Sequence, residues 1–307
     1  MAGPRPNTFL IGGPKCGTTS LAHYLSEHPD VFLGYPKEPS FWSVDLKRSE
    51  AVVRLRGLDD YLALYRRAGS AKIVLDASTS YLLSEVAVAR ILAFAPDARF
   101  IVILRNPAEV AHAYHMEKVF NHQEDVEDFE TAWSLQQERR AGRRVPPTCV
   151  EPAELQYLAV ASLGRQLERV TSLVRSEQLL VLFTEDMARD PRAVYLAALG
   201  FLGLPDDGRT DFPVVGGAHF NRFRRLSRLY QAPPAILKPL VRSAKRLLRA
   251  HLSAALKSRM TAAIAEHRPR AAIPRSFALD LRRAFAADVA LTEQLTGRSL
   301  RHWIDET

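Results

Sequence analysis

The stretch Gly12-Gly13-Pro14-Lys15-Cys16-Gly17-Thr18-Thr19-Ser20 constrains this chain more than any other part of it. It follows a short apolar run, Phe9-Leu10-Ile11, and leads into a segment with helical patterning, Ser20 to His28. A strand, a glycine-rich turn and a helix in that order make an anion pocket. Glycines let main-chain N–H groups point inward, and the start of a helix adds partial positive charge. The hydroxyls of Thr18, Thr19 and Ser20 supply further donors, and Lys15 supplies a full charge. The plain alternative is a chance glycine turn at a helix start. It leaves the agreement of position, hydroxyl run and lysine without a cause.

The loop departs from the ATP/GTP pattern G-x-x-x-x-G-K-[ST] in one respect. Gly12, Gly17 and Thr19 keep the spacing, but Thr18 occupies the lysine position and the lysine lies inside the loop, at Lys15. Such a pocket still suits a phosphate, with its cation moved relative to the leaving group. A P-loop kinase needs its lysine on the β- and γ-phosphates. The reading as an ATP- and Mg²⁺-dependent small-molecule kinase keeps one support. Ile73-Val74-Leu75-Asp76 has the form of a strand whose final aspartate holds Mg²⁺. A metal requirement separates the two readings.

Beyond the loop, apolar strand-like runs alternate with helical stretches, the signature of a parallel sheet with crossover helices. The patterning predicts strands over Thr8–Ile11, Val31–Leu33, Lys72–Asp76, Arg99–Leu104 and Leu179–Phe183. It predicts helices over Ser20–His28, Ser84–Ala95, Pro107–Phe120, Glu154–Val174, Pro191–Leu202, Leu240–Ile264 and Ser276–Leu295, the last closed by Gly297. The expected fold is α/β: a P-loop-like central parallel sheet flanked by helices, with a helical C-terminal extension. Ligands of such sheets lie beyond the carboxyl ends of the strands. The Gly12 loop, Asp76 and Arg105 all fall at those ends. The 307 residues show no repeat, low-complexity tract or linker, so one domain over 1–307 is expected.

The formal net charge is +8, and its distribution is uneven. From Phe212 to Ala265 there is no Asp or Glu but there are eleven Lys and Arg, among them Arg222, Arg224 and Arg225. This segment suits an anionic ligand: a nucleotide, a sulfated or phosphorylated acceptor, or an acidic membrane surface. A solvated basic helix face is the alternative. A third class, a non-enzymatic binder of nucleic acid or anionic lipid, uses this segment and leaves the N-terminal loop unexplained. No nucleic-acid partner is therefore expected.

No apolar run reaches the ~18 residues of a membrane-spanning helix. The first strand follows too soon after the N-terminus for a signal peptide, so the expected compartment is the cytoplasm. The two cysteines, Cys16 and Cys149, argue against a disulfide framework. Cys16 is either a thiol activated by the nearby lysine or a small side chain tolerated in a tight loop. His112 and His115 are three apart, with Glu117 and His122 near, but no C-x-x-C or H-E-x-x-H accompanies them. No metal site is expected; one of these histidines as a base is an alternative role.

Continued through Trp42, the first loop resembles that of the PAPS-dependent sulfotransferases, most of all their bacterial and heparan-sulfate-type branch. The residues are Pro14-Lys15-Cys16-Gly17-Thr18-Thr19-Ser20-Leu21, then His28-Pro29-Asp30-Val31, then Lys37-Glu38-Pro39-Ser40-Phe41-Trp42. Asp76-Ala77-Ser78-Thr79-Ser80-Tyr81 is similar to a family turn, Arg105-Asn106-Pro107 to the 3′-phosphate motif, and Leu180 to Met187 with Phe201 to Leu204 to a later region. The chain departs from the family at three positions. Ala113 stands where a serine contacts the 3′-phosphate, Ala77 where heparan-type members carry a lysine, and Thr79 where the turn has proline.

The resemblance implies sulfuryl transfer from PAPS to a hydroxyl or amine, releasing PAP and needing no metal. Lys15 is then the cation on the leaving oxygens. The segment Lys15, Cys16, Gly17, Thr18, Thr19 and Ser20 surrounds the 5′-phosphate. Arg105 holds the 3′-phosphate through its fork of donors, with a surface ion pair as the alternative. Arg222, Arg224 or Arg225 closes over the nucleotide. Glu38 becomes the general base; its alternative roles are a pair with Lys37 or the capping of a turn. Tyr114 or His112 replaces the missing serine donor. The acceptor stays open among carbohydrate, glycolipid, small metabolite and protein tyrosine, and so does the oligomeric state. Trp42, Tyr81, Phe120 and Trp133 line an acceptor cleft or pack in the core.

Overall fold

The computed structural model describes residues 4–47, 55–215 and 273–305, together with one short strand pair, 220–221 with 265–266. The predicted helix Leu240–Ile264 and the candidates Arg222, Arg224 and Arg225 lie outside the described residues.

Strands β1 (Thr8–Gly12), β2 (Val31–Leu33), β3 (Ile73–Ala77), β4 (Arg99–Leu104) and β5 (Leu179–Phe183) form one sheet in the order β2-β3-β1-β4-β5. Every neighbouring pair is parallel. β1 and β3 are buried along their whole length, as expected of strands covered on both faces. The helices among the described residues are α1 (Thr18–Ser26), α2 (Leu58–Ala63), α3 (Ser80–Leu83), α4 (Ala87–Phe94), α5 (Pro107–Phe120), α6 (Phe129–Ser134), α7 (Gln136–Arg140), α8 (Tyr157–Ala161), α9 (Leu163–Thr171), α10 (Thr184–Arg189), α11 (Pro191–Leu202) and α12 (Arg275–Thr296). Leu21 and Leu25 of α1, Ile91 of α4, Val110 of α5 and Leu199 of α11 are buried in the same core as the strands. A fully buried aliphatic side chain of this size contributes about 1.5–3 kcal/mol.

Sheet order fixes where a ligand belongs. From β1 the chain goes to β2 and β3 on one side, then crosses to β4 on the other. The carboxyl ends of β1 and β4 are therefore the topological switch point, where such sheets open a crevice.

Local chemistry explains the clean boundaries. Pro107 opens α5, and Asn106 caps it by accepting from the Ala108 N–H at 3.0 Å. Asp190 and Pro191 repeat that device on α11. α12 ends at Gly297, whose φ of 68° is the left-handed conformation of a helix C-cap.

Two predicted helices differ from expectation. The stretch Glu154–Val174 is a 3₁₀ turn, Pro152–Leu155, followed by α8 and α9. The break has a tertiary cause: the Asp288 carboxylate on α12 accepts from Gly164 N and Arg165 N at 2.9 Å each and so starts α9 afresh. Gly164 is needed there, since a Cβ would stand 2.4 Å from Asp288 O. The stretch Ser84–Ala95 begins as a helix only at Ala87, because the Ser84 hydroxyl accepts from Ala87 N at 3.0 Å. The short helices α2, α3, α6, α7 and α10 are not among the expected ones; they are too brief for a period of 3.6 to repeat.

Candidate active site

Each of the five strands delivers the residues that follow it to one cavity of about 760 Å³. Lys15 and Gly17 come after β1, Lys37 and Glu38 after β2, Thr79 after β3, Arg105 after β4 and Thr184 after β5.

The first loop is held from behind. Gly13 N donates to Ile103 O of β4 at 2.8 Å, and Thr184 Oγ1 lies 2.8 Å from Cys16 O and 3.1 Å from Leu104 O. Gly17 has φ 89°, a left-handed conformation that favours glycine, whereas the only close neighbour of a Cβ there would be the movable end of Met187, Cε at 2.2 Å. No side chain caps α1. Its first main-chain bond in this direction runs from Leu21 N to Gly17 O. The N–H groups of the first turn, Thr18 to Ser20, thus have no partner within the helix, and these three residues line the cavity.

Cys16 lies in this loop but does not line the cavity. Its thiol is fully buried and lies 3.4 Å from Pro14 O. Burial pushes its pKa up to about 12, outweighing the nearby Arg105 and Lys15. It is a small side chain filling a tight turn, not an activated nucleophile. Ser20 does reach the wall, and its hydroxyl is engaged by Val215, whose N–H donates to it at 3.0 Å.

Lys15 adopts φ 61°, a left-handed conformation that costs a non-glycine residue about 1–3 kcal/mol. Its carbonyl accepts from Arg105 Nη1 at 3.0 Å, and its ammonium pairs with Glu117 Oε2 at 3.0 Å. Arg105 therefore joins the two strand ends at the switch point. It also makes a surface ion pair, with Glu109 one turn into α5.

Glu38 has φ 63°, and its N–H donates to Ala77 O at 3.0 Å. One carboxylate oxygen accepts from Thr79 N at 2.9 Å and the other from Lys37 Nζ at 2.7 Å. Both alternative roles, the lysine pair and the capped turn, are thus present while the residue also lines the cavity. Thr79, where the family turn has proline, keeps an N–H that proline would lack.

Several candidates fall elsewhere. Asp76 is fully buried and accepts from Tyr61 and Ser78 at 2.7 Å and Tyr81 at 2.8 Å. Burial raises its pKa against those bonds, and it does not line the cavity, so it is not placed to hold Mg²⁺ there. His112 stacks on Phe129 at 5.1 Å and lines a separate hollow with His115. His115 is buried, with burial lowering its pKa, and its Nε2 lies 2.9 Å from Val126 O. Neither histidine faces Glu38's cavity, whereas Tyr114 does. Trp42 packs among Phe41, Tyr61 and Phe94, and Trp133 among Phe129, Phe277 and Phe285. With Tyr81 and Phe120 they are absent from the cavity wall. Among the described residues no group of three His, Cys, Asp or Glu could hold a metal ion, and no helix is long and apolar enough to cross a membrane.

Sequence reasoning passed over Glu117, Lys118, Glu154 and Thr184 as cavity residues. Glu117 carried a faint signal: it lies four residues beyond Ala113 on α5, and residues four apart share a helix face.

The sulfotransferase domain profile matches residues 5–228. The proteins of Xenopus laevis and Homo sapiens called bifunctional heparan sulfate N-deacetylase/N-sulfotransferase 1 are each 26% identical over 202 residues, 65% of this chain. That segment is 22% of their length, so this chain matches a minor part of each. The crystal structure of a sulfotransferase from Alicyclobacillus acidocaldarius shares the fold, with a TM-score of 0.72 at 24% identity over 98% of this chain and 100% of that one. A parallel sheet with a glycine-rich loop at its switch point, in a chain matched over most of its length by the family profile, leads to one assignment: the chain belongs to the sulfotransferase domain family.

Proposed function

We propose that this protein moves the sulfuryl group of PAPS to a hydroxyl or amine of a small-molecule or glycan acceptor, with PAP as the second product. One observation carries the reading: the uncapped start of α1, Lys15 and Arg105 share a cavity with a carboxylate held in place, Glu38. The open N–H groups of Thr18 and Thr19 with Gly17 would hold the 5′-phosphosulfate, and Arg105 the 3′-phosphate. PAPS supplies the activated sulfuryl group. The Lys15 ammonium neutralises charge where it grows on the departing phosphate oxygen. Glu38, steadied by the Thr79 N–H, accepts the acceptor's proton. The names of the curated relatives, heparan sulfate N-sulfotransferases, support a glycan amine among the candidate acceptors.

The kinase reading loses its metal ligand, because Asp76 is enclosed by three hydroxyls outside the cavity. Calorimetric titration with PAP, ADP and ATP, with and without Mg²⁺, tests the choice. PAP should bind without metal and more tightly than ADP or ATP. Tight Mg²⁺–ATP binding with indifference to PAP would overturn the proposal in favour of a kinase. Salt-dependent retention on DNA or acidic vesicles without nucleotide binding would favour the non-enzymatic binder.

A further inference from the structure

We propose that Glu117 is a placeholder anion that holds the Lys15 ammonium in position until the ligand's own anion takes it over. The identity of that ligand rests on the PAPS reading above; the exchange itself requires only an anion in the first loop.

Lys15 Nζ and Glu117 Oε2 are 3.0 Å apart, and both residues line the cavity. Their side chains are 23% and 38% exposed, so the pair is reached by solvent and by a ligand. An ion pair this open is weak and exchangeable. The Lys15 main chain, by contrast, is fixed, with its carbonyl on Arg105 Nη1. Only the flexible four-carbon stem has to move when a new anion enters. Glu117 is carried on α5, which is anchored at its start by Asn106 and Pro107. It therefore stays in place to recapture the lysine when the ligand leaves. The carboxylate stops Lys15 from folding away, and it competes with the incoming anion. Glu117 thus acts as a positioning residue that works through Lys15.

The test is a double-mutant cycle read by calorimetry, with two probes, PAP and inorganic pyrophosphate, on wild type, Glu117→Gln, Lys15→Ala and the double variant. Glu117→Gln should bind both anions about five- to tenfold more tightly, and the gain should vanish in the Lys15→Ala background. Glu117→Asp, which shortens the reach but keeps the charge, should lie between wild type and Glu117→Gln and serves if the glutamine variant fails to fold. Unchanged or weaker binding by these variants overturns the proposal. So does an equal gain without Lys15, because that would be simple removal of a repelling charge. If wild type ignores PAP but pyrophosphate shows the coupled gain, the PAPS reading falls and the placeholder stands. If neither anion binds wild type, both fall.

Discussion

Lys15–Glu117 and Arg139–Glu124 are both cation–carboxylate pairs, and their glutamates lie within or just after α5. The first faces the cavity, with both partners partly exposed. The second has both side chains at 0% exposure. Glu124 receives Arg139 Nη1 and Nη2 at 2.6 Å each, Tyr157 Oη at 2.5 Å, and the N–H groups of Asp125 and Val126 at 2.9 Å. Every position around that carboxylate is filled, so no ligand can enter and no exchange is open to it. The cavity pairs, Lys15–Glu117 and Lys37–Glu38, have fewer partners and a route to solvent. The same kinds of charge are therefore closed off where burial completes their hydrogen bonding, and stay open to a ligand where it does not.

That contrast can be broken from either side. The largest effect is expected at Glu38: Glu38→Gln should retain PAP binding and lower turnover by about 10²–10⁴-fold, the usual contribution of a positioned base. Normal turnover would move the base elsewhere. Lys15→Ala should lower turnover by about 10²–10³-fold, as the loss of one charge-stabilising donor does, with an unchanged melting temperature. A large loss of stability would place Lys15 with the structural pair instead.

Glu124→Gln should do the reverse. It leaves the buried Arg139 guanidinium with only the half-exposed Asp125 carboxylate, 4.0 Å away, as counter-ion, and breaking such a buried pair costs up to about 3–5 kcal/mol; denaturant unfolding measures it. The same pair should have an acid signature. Burial disfavours charge on Glu124, but the bonds from Arg139 and Tyr157 prevail and hold its pKa below the ordinary 4.5. Its folded pKa lies below its unfolded one, so its contribution is complete above the ordinary value and is lost as pH falls through the folded pKa. The stability gap between wild type and Glu124→Gln should accordingly narrow on acidification below that range. A gap independent of pH would mean that the carboxylate charge does not matter there.

The legible parts of this protein were the local ones. β2, β4, β5, α5 and α11 match their expected bounds, because runs such as Arg99–Leu104 and caps such as Asn106-Pro107 act over a few residues. The first loop was legible because its glycines and hydroxyls are contiguous. The interruption between α8 and α9 was not, because Asp288 comes from a distant helix. Asp76 looked like a metal ligand because a strand end is visible in sequence while the three hydroxyls around it are not. For the aromatic candidates Trp42 and Trp133 core packing was the favoured reading over a cleft, and both pack among other rings away from the cavity.

By itself, then, the sequence determined the α/β alternation, the glycine-rich first loop and the strand ends that carry Lys15, Glu38 and Arg105, all encoded by short-range periodicity and turn chemistry. Only the tertiary structure decided which charges meet. Lys15 and Glu117 are 102 residues apart, and Cys16 lies buried although its neighbour Lys15 is partly open. Pairing and burial depend on how the sheet orders its strands, and a one-dimensional pattern does not carry that distance information.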